Sequence, residues 1–184
     1  MILPIYLYGS EVLRQKAAPA DLAEKEKITK LVSDMEETLA KSEGCGLAAP
    51  QVGESVRILI VDGTGMTDVY PYLADFKRVM INPVILEESE KKCEYSEGCL
   101  SIPGIYCDVT RPQSITVEYY NGDFEKVTET LDKFACRMVQ HEMSHLDGDL
   151  FVDHVASIRK KIISKKLMNI AKGKVFARYA TKIK

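Results

Sequence analysis

From about Asp132 to Gly148, side chains that can bury or bind recur every three or four positions, at Phe134, Met138, His141 and His145, with Gly148 as a stop. That period predicts a helix. Residues four apart on a helix share a face, so the imidazoles of the His141-Glu142-Met143-Ser144-His145 run lie one above the other, and Glu142 sits beside them. Two stacked imidazoles can grip one metal ion, and the adjacent carboxylate can move a proton. The plainer reading is a pair of core or surface histidines. The metal-binding reading requires the rest of the chain to surround this helix and supply another ligand.

The remaining pattern offers suitable walls. Ile28, Leu31, Val32, Met35 and Leu39 predict an amphipathic helix over Lys25–Lys41, stopped at Gly44. The run from Gly44 to Gly53 is too rich in Gly and Pro to continue it and reads as a shaped loop leading into a strand over Val56–Val61. Val79–Leu86 begins as a strand that Pro83 interrupts. Ile115, Val117 and Tyr119 alternate into Asn121-Gly122, a hairpin turn signal, and Phe124–Thr130 is the return strand. No internal repeat, low-complexity tract or linker separates these segments. The expected architecture is one α+β domain over residues 1–184, with antiparallel sheets packed around the His-Glu-x-x-His helix and a C-terminal helix behind it.

Composition excludes several other classes. No apolar run approaches the ~18 residues needed to span a bilayer, and the apolar start Met1–Tyr8 lacks the basic flank and small-residue cleavage site of a secretory signal, so a cytoplasmic protein is expected. Five cysteines without a Cys-x-x-Cys pair argue against a disulfide framework or a zinc knuckle. Charge is uneven. Ten of the 25 basic residues and none of the 27 acidic ones follow Asp153, so the tail carries +10 and the remainder −12. The tail, about 155–184, reads either as the solvated face of a helix or as a contact for RNA such as a ribosome; no DNA or membrane partner is expected.

A catalytic metal centre normally has three protein ligands and an open position. One protease class places a third histidine six residues after the second, where this chain has Phe151. Another uses a downstream glutamate, and no glutamate follows Glu142. The candidates left are His154 and a thiolate from elsewhere. Of these Cys99 is favoured, in Glu97-Gly98-Cys99-Leu100-Ser101 ahead of a turn-forming Pro103-Gly104.

Three runs in order, Gly44-Cys45-Gly46-Leu47-Ala48-Ala49-Pro50-Gln51, Glu97-Gly98-Cys99-Leu100-Ser101 and Gln140-His141-Glu142-Met143-Ser144-His145-Leu146, give the chain a sequence that resembles the peptide deformylases. Tyr8–Arg14, Ile81-Asn82-Pro83 and Gly148–Phe151 extend the similarity. Cys45 stands where that family usually has an aliphatic residue, and Ser144 where it usually has aspartate.

The resemblance implies hydrolysis of the N-formyl group from N-formyl-methionyl nascent polypeptides. It implies Cys99, His141 and His145 as ligands of one Fe(II), replaceable by Ni, Co or Zn, a set that suits those ions better than Mg or Ca. Glu142 would take a proton from water and pass it to the departing amine, while the Gln51 amide and the Leu100 N–H would stabilise the oxyanion. Phe134 and Met138 would line the methionine pocket, although helical spacing alone also fits plain core. Cys45, Gly46 and Gly98 would pair with the extended peptide. Glu97 and Arg111 are a candidate supporting pair behind Cys99, one that the usual aspartate at position 144 would extend.

Three rivals are a zinc metalloprotease using His154, a cysteine hydrolase using Cys45 or Cys99, and an inactive relative acting on RNA through its tail.

Overall fold

A computed structural model describes residues 1–183; Lys184, the last residue of the expected basic tail, lies outside them. In chain order the elements are β1 (Ile5–Tyr6), α1 (Lys25–Ser42), β2 (Gly46–Ala48), β3 (Ile58–Asp62), β4 (Lys77–Glu88) and β5 (Lys92–Cys99). They continue as β6 (Ile102–Pro112), β7 (Ser114–Tyr120), β8 (Lys126–Asp132), α2 (Lys133–Leu146), α3 (Ser157–Ala171) and β9 (Thr181–Lys182). The class is α+β. One antiparallel sheet has the order β2-β3-β4-β7-β8, β5 and β6 form a second, and β1 pairs with β9 in a third.

Helix α1 forms over the predicted span because Ile28, Val32, Met35 and Leu39 share one face, which packs with Leu47, Ile58 and Ile60. Each such side chain, once buried, stabilises the fold by about 1.5–3 kcal/mol. Glu43, at φ +58°, makes the left-handed turn expected of Gly44. Gly44 is needed for another reason: a Cβ there would lie 2.7 Å from Leu100 Cδ1.

Pro83 does not end its strand. β4 runs on to Glu88 through a register shift against β7 between Ile81 and Val84, and Asn82 takes φ +52°. The shift accommodates a residue that cannot donate to the ladder. The Asn82 side chain is bonded both ways to the Ala20 backbone. At the β7–β8 turn Asn121 Oδ1 accepts from the N–H groups of Asp123 and Glu125, and the return strand starts at Lys126, two residues later than expected. Pro103-Gly104 lies inside β6, and the chain reverses instead at Leu100-Ser101. A glycine at φ +75° bends the strand without ending it.

Met138, Val139, Met143 and Leu146 of α2 pack on Leu59, Val61, Met80 and Val117 of the large sheet. Ile163 and Ile170 of α3 pack with Ile105, Cys107 and Phe151. The helix expected in the tail is therefore present, but it stops at Ala171 and the chain turns back to β1.

Candidate active site

Helix α2 presents His141, Glu142 and His145, all buried, on the side facing the end of β5. There Cys99 approaches them. The thiol sulfur and one nitrogen from each histidine lie within 4.8 Å of one another, and Cys99 Sγ is 3.3 Å from His145 Nε2. His154 lies outside this group: its Nε2 is 2.5 Å from Asp149 Oδ2 at a partly exposed position. The expectation of His154 as an alternative third ligand is thereby corrected: among the described residues the clustered donors are Cys99, His141 and His145, and the His154 ring turns to Asp149. One sulfur and two imidazole nitrogens form a donor set that fits Fe, Co, Ni or Zn and does not fit the oxygen-seeking Mg or Ca.

Behind the donors lies a buried ionic network. His141 Nδ1 is 2.8 Å from Glu97 Oε2, while Arg111 bonds both oxygens of that carboxylate at 2.7 and 3.0 Å. Arg137 Nη1 adds a third cationic contact at 2.7 Å and also donates to Val109 O. Arg111 donates to Ser144 Oγ at 2.9 Å, so the hydroxyl at position 144 accepts from the guanidinium without supplying a counter-charge. Arg137 was missed in the sequence, although its place one helical turn before His141 puts it on the same face.

Burial works against the charged form of His141, but hydrogen bonds with Cys99 and Glu97 outweigh it and raise its pKa to about 10. Metal ligation requires neutral imidazole, so binding at this site releases that proton. Burial holds His145 well below the ordinary histidine range, and therefore neutral. Burial also pushes Glu142 up to about 7, and its Oε2 is buried with no hydrogen-bond partner among the described residues. Such a carboxylate is poised near neutrality to exchange a proton.

Gly46 makes room for Glu142, because a Cβ on residue 46 would collide with Glu142 Oε1. Cys45 O accepts from Asp62 N across β2 and β3. Bonded and non-bonded pairs alternate in an antiparallel ladder, so the N–H and C=O of Gly46 point away from β3, along the open edge of the sheet. The Cys45 thiol is raised to about 12, first by burial and then by Glu142, and so stays protonated. That state is unsuited to nucleophilic attack.

Gln51 is fixed at both ends. Ala48 N donates to its Oε1 at 2.8 Å, leaving Nε2 to reach Ser101 Oγ at 3.2 Å and Cys99 Sγ at 3.5 Å. A cavity of about 1080 Å³ is lined by Gln51, Cys99, His141 and Glu142 together with Cys45, Gly46, Gly98, Leu100, Phe134 and Met138. Met138 is also core, and Phe134 stacks on Tyr70 with centroids 4.6 Å apart, so both residues line the cavity while packing against the core. Tyr179, far along the tail, lines the same cavity and carried no signal in the sequence.

Residues 2–161 match the sequence model of the polypeptide deformylases. The peptide deformylase of Christiangramia forsetii is 42% identical, over 97% of this chain and 94% of that protein. Among solved structures, a peptide deformylase from Legionella pneumophila superposes with a TM-score of 0.82 at 31% identity, covering 94% of this chain and 96% of that one. A class I type b peptide deformylase from Acinetobacter baumannii superposes at 0.77 with 35% identity, covering 84% and 99%. With the family's sequence match, its fold and a matching donor set all present, the chain belongs to the polypeptide deformylase family, hydrolases that remove the formyl group from nascent peptides.

Proposed function

We propose that Cys99, His141 and His145 hold the metal, that Glu142 carries the proton, and that Gln51 Nε2 and the Leu100 N–H receive the oxyanion in deformylation of N-formyl-methionyl peptides. The observation that carries this reading is the meeting of a thiol and two imidazoles within 4.8 Å beside a buried carboxylate whose Oε2 has no hydrogen-bond partner among the described residues. The metal in the cell is Fe(II), one ion per chain, with Ni, Co or Zn as substitutes. When bound, such an ion supplies Lewis acidity that polarises the formyl group and eases deprotonation of water near neutral pH.

Glu142 accepts the proton of the attacking water and delivers it to the departing amine. Ala48 N fixes the Gln51 amide, so Nε2 turns to the oxyanion by giving up only its long contact with Cys99 Sγ while keeping Ser101 Oγ. The peptide joins the open edge of β2 through Gly46, with Gly98 and Cys45 on the adjoining walls, and the methionine side chain enters between Phe134 and Met138.

Residues 1–184 act as one catalytic domain in the cytoplasm. The basic tail, with α3, contacts the ribosome; neutralising its lysines lowers ribosome association if so, and unchanged binding at low salt removes that contact. No helix of the described residues is long and apolar enough to cross a membrane.

Elemental analysis tests the ligand set. Cys99→Ala is expected to lose its metal and His154→Ala to keep it; the reverse result favours the protease reading.

A further inference from the structure

The chain continues past α3 into a segment that returns to the reaction centre. Gly173, at φ +70°, turns the backbone, and Ile5 N and Leu7 N then donate to Ala180 O and Lys182 O, docking the return against β1. Along it Val175, Ala177 and Tyr179 are half-buried while Phe176, Arg178 and Ala180 are exposed. That alternation is the period of an extended chain with one face on the protein. Phe176, Arg178 and Tyr179 line the same cavity as Cys99, Gln51 and Glu142. The family match ends at residue 161, so none of this segment belongs to the matched region.

Tyr179 packs with Leu100 on the core that includes Leu47 and Ile60, and its hydroxyl donates to Leu100 O at 2.6 Å. Burial, and then the neighbouring Cys99, push the phenol pKa upward, so the hydroxyl remains a donor. The next residue is held as well: Ser101 O accepts from Tyr8 N at 2.8 Å, and Ser101 Oγ accepts from Gln51 Nε2. The Leu100-Ser101 turn is therefore fixed from three sides, and Tyr179 supplies the only one of these contacts made to Leu100 itself.

We infer that Tyr179 is a positioning residue for deformylation, holding the Leu100 N–H in register with the developing oxyanion, and that Phe176 on the same segment meets substrate residues beyond the formyl-methionine. The inference rests on the assignment of the Leu100 N–H as an oxyanion donor. Tyr179 holds the carbonyl of the following Leu100–Ser101 peptide, so it acts on the Leu100 N–H through the Leu100 backbone; an oxyanion donor acts by preorganisation, and loosening that anchor raises the barrier more than it weakens substrate binding. Phe176 is 83% exposed and Tyr106 66% exposed, two aromatic faces on one cavity. A peptide extended along β2 from the formyl end would bring an apolar downstream side chain against them.

The test uses the full-length, metal-loaded enzyme with formyl-Met-Ala and with formyl-Met-Ala-Leu-Leu. Tyr179→Phe keeps the ring in its core and removes one hydrogen bond; kcat is expected to fall about fivefold with KM nearly constant, read at 25 °C with the fold checked by circular dichroism. Phe176→Ala is expected to raise the KM ratio of the longer to the shorter peptide about threefold. An active parent with parental kcat in Tyr179→Phe and an unchanged KM ratio in Phe176→Ala overturns this inference alone. A parent that releases no formate from either peptide overturns the functional reading and this inference together.

Discussion

His141 Nδ1 lies 2.8 Å from Glu97 Oε2, so this imidazole is oriented by a carboxylate that two arginines hold in turn. With Nδ1 engaged, Nε2 is the nitrogen left to face Cys99 and His145, which fixes the ring for metal binding. Glu97→Gln is expected to weaken metal affinity by about tenfold or more, read by competition with a chelator. Unchanged affinity would mean that the ring is oriented by its packing against Phe151 instead.

The same carboxylate ties stability to pH. Burial opposes its charge, but hydrogen bonds from His141 and Arg111 outweigh that and hold the Glu97 carboxyl well below the usual carboxylate range. A folded-state pKa below the unfolded value contributes stability that is present above about pH 4.3 and lost as pH falls toward the folded value. Arg111→Ala, which takes the bidentate partner from a buried carboxylate still held by Arg137 and His141, is expected to cost about 3 kcal/mol at neutral pH. The unfolded reference is common to both proteins, so in denaturant titrations the gap should narrow only as pH falls below the variant's own folded Glu97 value toward the parent's depressed one; a constant gap in acid would contradict this linkage.

Gly46 is the second constraint. Alanine there would push Glu142 Oε1 aside, and displacing a proton carrier by about 1 Å costs on the order of a hundredfold in rate. Gly46→Ala is expected to lose that much kcat while keeping its metal, measured by formate release and elemental analysis. Parental kcat would show that Glu142 has room to move.

Gln51→Leu removes the amide whose carbonyl is held by Ala48 N. The expected loss is about a hundredfold in kcat, the scale seen when one oxyanion donor is deleted. If KM rises while kcat holds, Gln51 binds the ground state instead.

The sequence carries the local part of this design and little of the long-range part. Period alone marks α1 and α2, because Ile28, Val32, Met35 and Leu39 must share a core face and His141 and His145 a ligand face. Asn121-Gly122 marks the β7–β8 turn because its side chain builds the turn locally. β5 and its partner β6 carry no strand signal of the same kind, since Lys92–Cys99 mixes charged, small and sulfur-bearing residues and pairs only within its hairpin. Pro83 and Pro103 looked like breaks because a bulge and a glycine bend cannot be read from residue type. The meeting of Cys99, His141 and His145 is legible from spacing and resemblance; the contacts of Arg137 and Tyr179 are not, since they reach 40 and 79 residues along the chain.

The most direct test of the proposed chemistry compares the parent with Glu142→Ala at equal Ni(II) content, both prepared without oxygen, and measures formate released from formyl-Met-Ala-Ser. Release by the parent and a loss of about a thousandfold in Glu142→Ala, with the metal retained, is the expected result. Equal rates in the two proteins would contradict the assignment of Glu142 as the proton carrier, and formate-free cleavage of ordinary peptides by the parent would contradict deformylation itself.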